Sequence, residues 1–204
     1  PATPAIYTVL TSSAASDVYK RQELEYAVPE KIRKIASTGE SWKKKFKYGL
    51  DLGCGTGLSG LSFTKLVESI DGVDLAPKMV EIARGKDIYS SLHVSGINEF
   101  LVKSVGPYDF VLAADVFGYL GDLEETFSRL HGRTTDDVLF CFSTEKTAGD
   151  DYKLRQTGRF AHSIAYIENL AIKTGWKIIE QHTRSLRKER GEWIEGNLWF
   201  MAKV

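Results

Sequence analysis

Three glycines at alternate positions, Gly53, Gly55 and Gly57, interrupt an apolar part of the chain. Glycine lets a chain turn tightly and lets the backbone approach a ligand closely, so this spacing predicts a ligand-binding turn. Residues 48–52 before the turn have strand character, and residues 58–66 after it have the leucine spacing of a helix. A helix that begins at such a turn presents free N–H groups, which suit a polar ligand.

The spacing of these glycines differs from the G-x-G-x-x-G pattern of dinucleotide-binding turns. The third glycine of that pattern would fall at residue 58, which is Leu58. Asp51 precedes the turn, and Asp74 ends the next apolar segment, where a carboxylate accepts hydrogen bonds from ribose hydroxyls. A ligand with a ribose, no phosphate and an amino-acid tail near Asp51 is S-adenosylmethionine.

The elements that would position these residues alternate along the chain. We expect a helix over residues 23–38 and then five strands separated by helices, at residues 48–52, 70–75, 91–94, 109–114 and 138–143. A long connection, residues 145–162, follows the fifth strand, and runs 176–186 and 196–204 predict a closing hairpin. This order predicts a single α/β domain. Its sheet would be Rossmann-like, doubly wound, seven-stranded and mostly parallel, with a C-terminal antiparallel hairpin.

Composition and charge limit the classes of function. Lysine plus arginine total 27 and aspartate plus glutamate total 27, and this zero net charge argues against a general nucleic-acid binder. We find no apolar run long enough to cross a membrane and no signal-peptide layout. Cys54 and Cys141 lack disulfide or metal-ligand spacing, and the histidines are scattered. We therefore expect a cytoplasmic protein without a metal site.

Residues 1–22 differ in composition from the rest, being rich in Ala, Ser, Thr and Pro. Residues 9–22 resemble translated sequencing-adapter sequence, a known contaminant of metagenomic gene models. We therefore expect residues 1–22 to be a non-native or disordered leader and residues 23–204 to form the domain. On this interpretation a native N-terminal segment that closes over the ligand is missing, and a natural flexible arm is the alternative.

Two motifs resemble those of a known family. DLGCGTG at residues 51–57 and GVDLAPKMVEIAR at 72–84 resemble motifs I and II of the class I S-adenosylmethionine-dependent methyltransferases. Segments 108–127 and 152–167 are similar to the TPR-associated methyltransferases, which are related to the Williams–Beuren-region methyltransferase-like proteins. The resemblance covers residues 23–204. It implies methyl transfer from S-adenosylmethionine to an unidentified small-molecule acceptor, with S-adenosylhomocysteine as the product.

The resemblance also implies cofactor contacts at the carboxyl ends of the first four strands. The residues concerned are Asp51, Gly53, Gly55, Gly57, Asp74, Leu75, Met79, Gly96, Ile97 and Asp115. The glycines would contact the methionine part of the cofactor, and Asp51 would hold its amino group. Asp74 would bind the ribose hydroxyls, and Leu75 and Met79 would pack on the adenine. An aspartate at a strand end can also simply cap the following helix.

Gly96 departs from the family pattern, which usually has an acidic residue near the adenine amino group. Ile97 would still offer a backbone N–H and an apolar contact there, and Asn98 is a candidate substitute. Asp115 follows the fourth strand, where the methyl group should be presented.

The long connection after the fifth strand is the candidate acceptor site, because such loops are often functional and this one lies at the ligand-binding edge. Tyr152, Arg159 and His162 could bind an anionic substrate, and Tyr152 or His162 could act as the catalytic proton acceptor. The alternative is that Arg159 pairs with Asp150 or Asp151 and that His162 caps the next helix.

Two other functions stay open on the sequence alone. An NAD(P)-dependent oxidoreductase would use a similar sheet, although Leu58 and the C-terminal hairpin disfavour it. A methyltransferase-fold protein that binds the cofactor without turnover would carry the same motifs. The sequence does not determine the oligomeric state or the acceptor atom.

Overall fold

A computed structural model of the 204-residue chain describes residues 27–39, 45–189 and 191–204. The helices are α1 (Val28–Thr38), α2 (Leu58–Phe63), α3 (Pro77–Arg84), α4 (Ile97–Lys103), α5 (Glu124–His131) and α6 (Ile164–Thr174). The strands are β1 (Phe46–Leu52), β2 (Val67–Asp74), β3 (Ser91–Val94), β4 (Tyr108–Ala113), β5 (Thr134–Lys146), β6 (Tyr152–Leu154), β7 (Phe160–His162), β8 (Trp176–Glu189) and β9 (Glu192–Lys203). The leader at 1–22 lies outside the described residues. None of the described helices is long and apolar enough to cross a bilayer.

The described strands form one nine-stranded sheet, in which β3-β2-β1-β4-β5 run parallel in that order. The order reverses at β1, because the chain runs outward to β3 and then resumes with β4 on the other side. Such a reversal opens a crevice at the carboxyl ends of the two central strands, where α/β proteins bind ligands. β9 pairs antiparallel with β5, and β8 pairs antiparallel with β9. The Rossmann-like, mostly parallel fold with an antiparallel C-terminal hairpin is confirmed.

The sheet has two more strands than expected, because part of the connection after β5 is a β-hairpin. β6 and β7 pair antiparallel, and β7 pairs in parallel with Glu145 and Lys146 of β5. β9 occupies the other edge of β5 here, so the hairpin lies beyond the carboxyl end of β4, on the same side of β5 as β4. The prediction of a plain loop was wrong, since strands of three residues are too short for alternation to be recognised.

Two apolar layers cover the two faces of the sheet. α4, α5 and α6 contribute to one layer, and α1 and α2 contribute to the other. In β4, Phe110 and Leu112 belong to one layer and Val111 to the other, as expected for a strand buried on both faces.

An aromatic cluster holds the short 3-10 turn Phe117–Tyr119, which follows β4, against α5 and β5. Its members are Phe117, Phe127, Phe140 and Phe142, all fully buried. Their ring centroids lie 4.7 to 6.4 Å apart. Rings at these separations add pairwise attraction to the burial of their apolar area.

Replacing the central ring of this cluster should lower the stability of the domain. For Phe127→Ala we expect the free energy of unfolding to fall by about 3–5 kcal/mol, because the truncation leaves a cavity. The control Val102→Ala changes a side chain that is 50% exposed, and should shift stability by less than about 0.5 kcal/mol. Urea denaturation followed by circular dichroism measures both. Equal stabilities of the two variants would contradict the described core.

Candidate active site

The carboxyl ends of β1 to β4 meet at one edge of the sheet and bring the predicted cofactor residues together. The parallel register places Asp51 opposite Gly72 of β2 and places Asp74 opposite Val94 of β3. The Gly53 amide donates to a backbone carbonyl of β2 at 2.8 Å. The glycine turn therefore leaves β1 directly beside the end of β2.

The glycine turn needs glycine for its conformation and for space. The φ angles of Gly53, Gly55 and Gly57 are 69°, 53° and 88°, in the left-handed region that favours glycine. A Cβ added at Gly53 would lie 2.4 Å from Cγ2 of Val116. The loops after β1 and β4 therefore touch, and a larger residue at position 53 would separate them.

Asp51 is buried beneath the turn with only part of its hydrogen-bonding capacity used. Its Oδ2 accepts bonds from the Ser59 hydroxyl at 2.6 Å and from the Tyr89 hydroxyl at 2.7 Å. Its Oδ1 is buried and has no hydrogen-bond partner among the described residues. A buried carboxylate oxygen is costly unless a donor reaches it, and an ammonium group of a ligand would supply that donor.

The protonation of Asp51 is set by its burial. Burial raises the pKa of Asp51 to about 6, and the Asp74 carboxylate raises it further. Hydrogen bonds from the Ser59 and Tyr89 hydroxyls and from the Gly60 amide oppose this rise. The carboxylate is therefore largely ionised at pH 7 and loses its charge near pH 6.

Asp74 stabilises the turn through both of its carboxylate oxygens. Oδ2 accepts a bond from the Gly55 amide at 2.9 Å, and Oδ1 accepts one from the Ala76 amide at 2.8 Å. The following helix has no side-chain cap, so the alternative of a simple helix cap was wrong. Each oxygen can accept a second bond, which leaves capacity for ribose hydroxyls.

Apolar side chains lie exposed at the ends of β2 and β3. Leu75 is 53% exposed and Val94 is 51% exposed, while Met79 and Ile97 are half-buried. Exposed aliphatic surface beside a crevice suits the face of an aromatic base. Val94 was missed in the sequence, although its position at the end of β3 could have identified it.

Gly96 directly precedes α4, and a Cβ added there would meet no atom of the described residues within 4 Å. Asn98 does not replace the missing acidic residue. Its Oδ1 accepts a bond from the Thr126 hydroxyl at 2.8 Å, and its Nδ2 donates to Glu125 at 3.1 Å. The expectation that Asn98 substitutes near the adenine was therefore wrong, since its side chain is bonded to α5.

Four charged side chains form a cluster beyond the end of β4. Arg159 donates to Asp115 Oδ1 at 2.7 Å and to Glu145 Oε1 at 2.6 Å. Arg187 of β8 donates to the same two oxygens, at 3.0 and 2.6 Å. Glu145 is 2% exposed and each arginine is 5% exposed. This buried charge cluster joins the loop after β4, the end of β5, the hairpin and β8.

The arginines of the buried charge cluster remain charged. Burial alone would lower their pKa values, but the carboxylates of Asp115 and Glu145 outweigh it and raise the pKa of Arg159 and of Arg187. Asp115 itself has a φ of 60°, and its amide donates to the Ser143 hydroxyl at 2.9 Å. A non-glycine residue in this strained region is typical of functional sites.

The alternative that Arg159 pairs with a neighbouring aspartate, at position 150 or 151, is wrong. Among the described residues Arg159 pairs with Asp115 and Glu145 and not with Asp150 or Asp151. Its guanidinium carbon lies 4.4 Å from the ring centroid of Tyr119. Tyr119 is also a side-chain hydrogen-bond partner of Arg159.

His162 is fully buried among aromatic rings, with the centroids of Tyr152 and Tyr166 at 6.0 and 5.5 Å. Its Nε2 lies 2.8 Å from the Gly121 carbonyl and donates to it. Burial lowers the pKa of His162, which keeps the ring neutral at pH 7. Ser163 caps α6, so the alternative that His162 caps this helix was wrong. Its role as a proton acceptor stays a prediction.

The sequence did not reveal the hydrogen-bond partners of Asp51 or the full set of charged groups around Asp115. Ser59 and Tyr89 bind Asp51, and Glu145 and Arg187 complete the buried charge cluster. Ser59 lies in the first turn after the glycines, a signal that could have identified it. The others come from distant segments and carry no local motif.

A family profile described as a methyltransferase domain matches residues 19–190. The chain belongs to this methyltransferase-domain family. The biotin biosynthesis bifunctional protein BioHC of Saccharophagus degradans is 29% identical over 176 residues, which cover 78% of this chain and 29% of that protein. A ubiquinone biosynthesis O-methyltransferase of Xanthomonas oryzae pv. oryzae is 30% identical over 77 residues, 36% of this chain and 32% of that protein. The matches span less than a third of either relative.

A solved structure shows that the domain has the expected fold. The N-methyltransferase NodS from Bradyrhizobium japonicum WM9, in complex with S-adenosyl-L-homocysteine, superposes with a TM-score of 0.68. Sequence identity is 14%, over 86% of this chain and 85% of that chain. The class I methyltransferase fold predicted from motifs I and II is therefore confirmed.

Breaking the buried charge cluster should destabilise this methyltransferase domain. Arg159→Met leaves Asp115 with Arg187 alone, and leaves Glu145 with Arg187 and the more distant Arg155. We expect the free energy of unfolding to fall by about 3–5 kcal/mol. The control Arg129→Met removes an exposed pair with Glu125, and should cost less than about 1 kcal/mol. Urea denaturation compares the two, and equal losses would show that the cluster has no special role.

Proposed function

We propose that this domain binds S-adenosylmethionine in the crevice between the ends of β1 and β4 and transfers its methyl group to a small molecule. The observation that carries this function is the buried Asp51, whose Oδ1 lacks a partner among the described residues. The family match and the fold support the same activity.

The residues at the edge of the sheet fit the three parts of the cofactor. Asp51 Oδ1 would accept a bond from the amino group, and Asp74 has acceptor capacity left for the ribose hydroxyls. Leu75 and Val94 would pack on the adenine from the ends of β2 and β3. The cofactor, when bound, supplies a methyl group already activated by the sulfonium.

The task left to the protein is to hold the acceptor in line with the methyl group and to exclude water. Such positioning can be worth on the order of 7–11 kcal/mol. Val116 lies against Gly53 between the cofactor turn and the loop after β4. The buried charge cluster holds the residue before it, Asp115, and so fixes this part of the crevice.

We place the acceptor beside the β6–β7 hairpin, where Tyr152, Arg159 and His162 lie beyond the end of β4. The charged guanidinium of Arg159 would attract an anionic group of the acceptor. A general base is needed only for a protonated acceptor, where it contributes roughly a hundred- to ten-thousand-fold. Tyr152 is half-buried and His162 is fully buried, so Tyr152 is the better placed of the two candidates.

The relatives do not select one acceptor atom. Their names describe an O-methyltransferase of ubiquinone biosynthesis and an N-methyltransferase. We therefore propose a small-molecule acceptor without choosing between oxygen and nitrogen. The finer resemblance to the TPR-associated and Williams–Beuren-region proteins stays a prediction, as do the cytoplasmic location and the absence of a nucleic-acid partner.

Binding should be measured first. Calorimetric titration with S-adenosylmethionine and S-adenosylhomocysteine is expected to show saturable binding that Asp74→Ala abolishes, because the ribose hydroxyls lose their acceptor. The control Asp136→Ala changes a fully exposed aspartate, and should bind normally. A wild-type protein that binds NADH instead would revive the oxidoreductase alternative. If S-adenosylmethionine binds but a broad screen of acceptors yields no methylated product, the protein is better described as a cofactor-binding protein without turnover.

The affinity should depend on pH through Asp51. Because burial raises the pKa of Asp51 to about 6, the carboxylate is ionised above this pH and can pair with the ligand's ammonium group. We expect the affinity for S-adenosylhomocysteine to be constant above pH 7 and to fall as the pH drops through about 6. Asp51→Asn should bind more weakly and lack this step. An unchanged pH profile in that variant would contradict the role of Asp51.

A further inference from the structure

Tyr89 lies in the segment between α3 and β3 and packs against the chain that follows the glycine turn. A Cβ added at Gly60 would lie 2.4 Å from the Tyr89 hydroxyl oxygen, and one added at Gly72 would lie 3.0 Å from its ring. Glycine at positions 60 and 72 therefore makes room for this ring. The ring places its hydroxyl 2.7 Å from Asp51 Oδ2.

We propose that Tyr89, together with Ser59, is a positioning residue for the amino group of the cofactor. The two hydroxyls occupy Oδ2 of Asp51 and leave Oδ1 as the acceptor for the ligand. This role rests on the proposed function, since it assumes that the ligand of Asp51 is S-adenosylmethionine.

The donors around Asp51 support this assignment because the Ser59 and Tyr89 hydroxyls and the Gly60 amide are all neutral. Two hydroxyl bonds orient the carboxylate and favour its ionised form, but they do not neutralise its charge. The titratable groups that face Asp51 are Cys54 in the turn, Asp74 in β2 and Tyr89. None of these three carries a positive charge. A ligand that brings both a donor and a positive charge, as an amino-acid ammonium group does, completes the site.

Ligands with and without the amino group distinguish a positioning role of Tyr89 from a purely structural one. A tyrosine that only filled space would affect every ligand of the crevice alike. A tyrosine that acts through Asp51 affects only ligands with the amino group. S-adenosylhomocysteine carries that group, whereas 5′-methylthioadenosine keeps the adenine, ribose and sulfur but lacks the amino-acid part. The ratio of the two affinities therefore reports on the contacts of the amino-acid part, to which Asp51 belongs.

The test is calorimetric titration of Tyr89→Phe with both ligands. We expect the affinity for S-adenosylhomocysteine to fall about tenfold, because Asp51 loses a donor that orients it and favours its ionised form. The affinity for 5′-methylthioadenosine should stay within about twofold. The matched control is Tyr48→Phe, which removes a tyrosine hydroxyl from the carboxylate of Asp71 instead. This control should change neither affinity.

A second variant, Ser59→Ala, and the pH dependence of binding provide independent tests of the same role. Ser59→Ala removes the other donor to the same oxygen, and should show the same selective loss, so it decides the outcome if Tyr89→Phe does not fold. In Tyr89→Phe the fall of S-adenosylhomocysteine affinity in acid should move to higher pH, because the ionised carboxylate has lost a donor.

The possible outcomes separate this role from the proposed function. If wild type binds both ligands and Tyr89→Phe weakens both or neither, the positioning role is wrong and the cofactor site stands. If wild type binds neither ligand, the proposed function is wrong and the positioning role falls with it. A selective loss in Tyr89→Phe and Ser59→Ala, absent from Tyr48→Phe, is the supporting result.

Discussion

The proposed acceptor side of this domain depends on the pairing of four charges beyond the end of β4. Removing Arg159, Arg187, Asp115 and Glu145 from water is costly, so each must keep its partners. Their side chains come from four separate parts of the chain, and satisfying them brings those parts together. The loop after β4, the end of β5, the hairpin and β8 consequently form one wall beside the crevice.

The cofactor side of the crevice contains a second buried carboxylate, Asp51, whose charge is not balanced by the groups around it. The buried charge cluster is balanced within the protein. Asp51 instead has neutral hydroxyl donors on one oxygen, and its other oxygen has no partner in the described part of the chain. A cluster with balanced charges stabilises the fold, whereas a buried carboxylate without a cationic partner is suited to bind a cationic group of a ligand. Val116, packed on Gly53, joins the two sides of the crevice.

The parts of the fold that the sequence predicted are those with local signals. The glycine turn, the buried strand after Tyr108 and the aspartates at strand ends were all placed correctly, since each depends on residues close in the chain. The β6–β7 hairpin was missed because its strands have three residues each and exist through pairing with the end of β5. A strand that depends on a partner distant in sequence has little pattern of its own.

The sequence by itself determined the class of the fold, the position of the glycine turn and the family, because short motifs and periodicity depend on neighbouring residues. Only the tertiary structure decided which groups face each carboxylate. Tyr89 reaches Asp51 across 38 residues and Arg187 reaches Asp115 across 72. Such contacts arise when packed strands and helices bring distant segments together, and no local spacing records them.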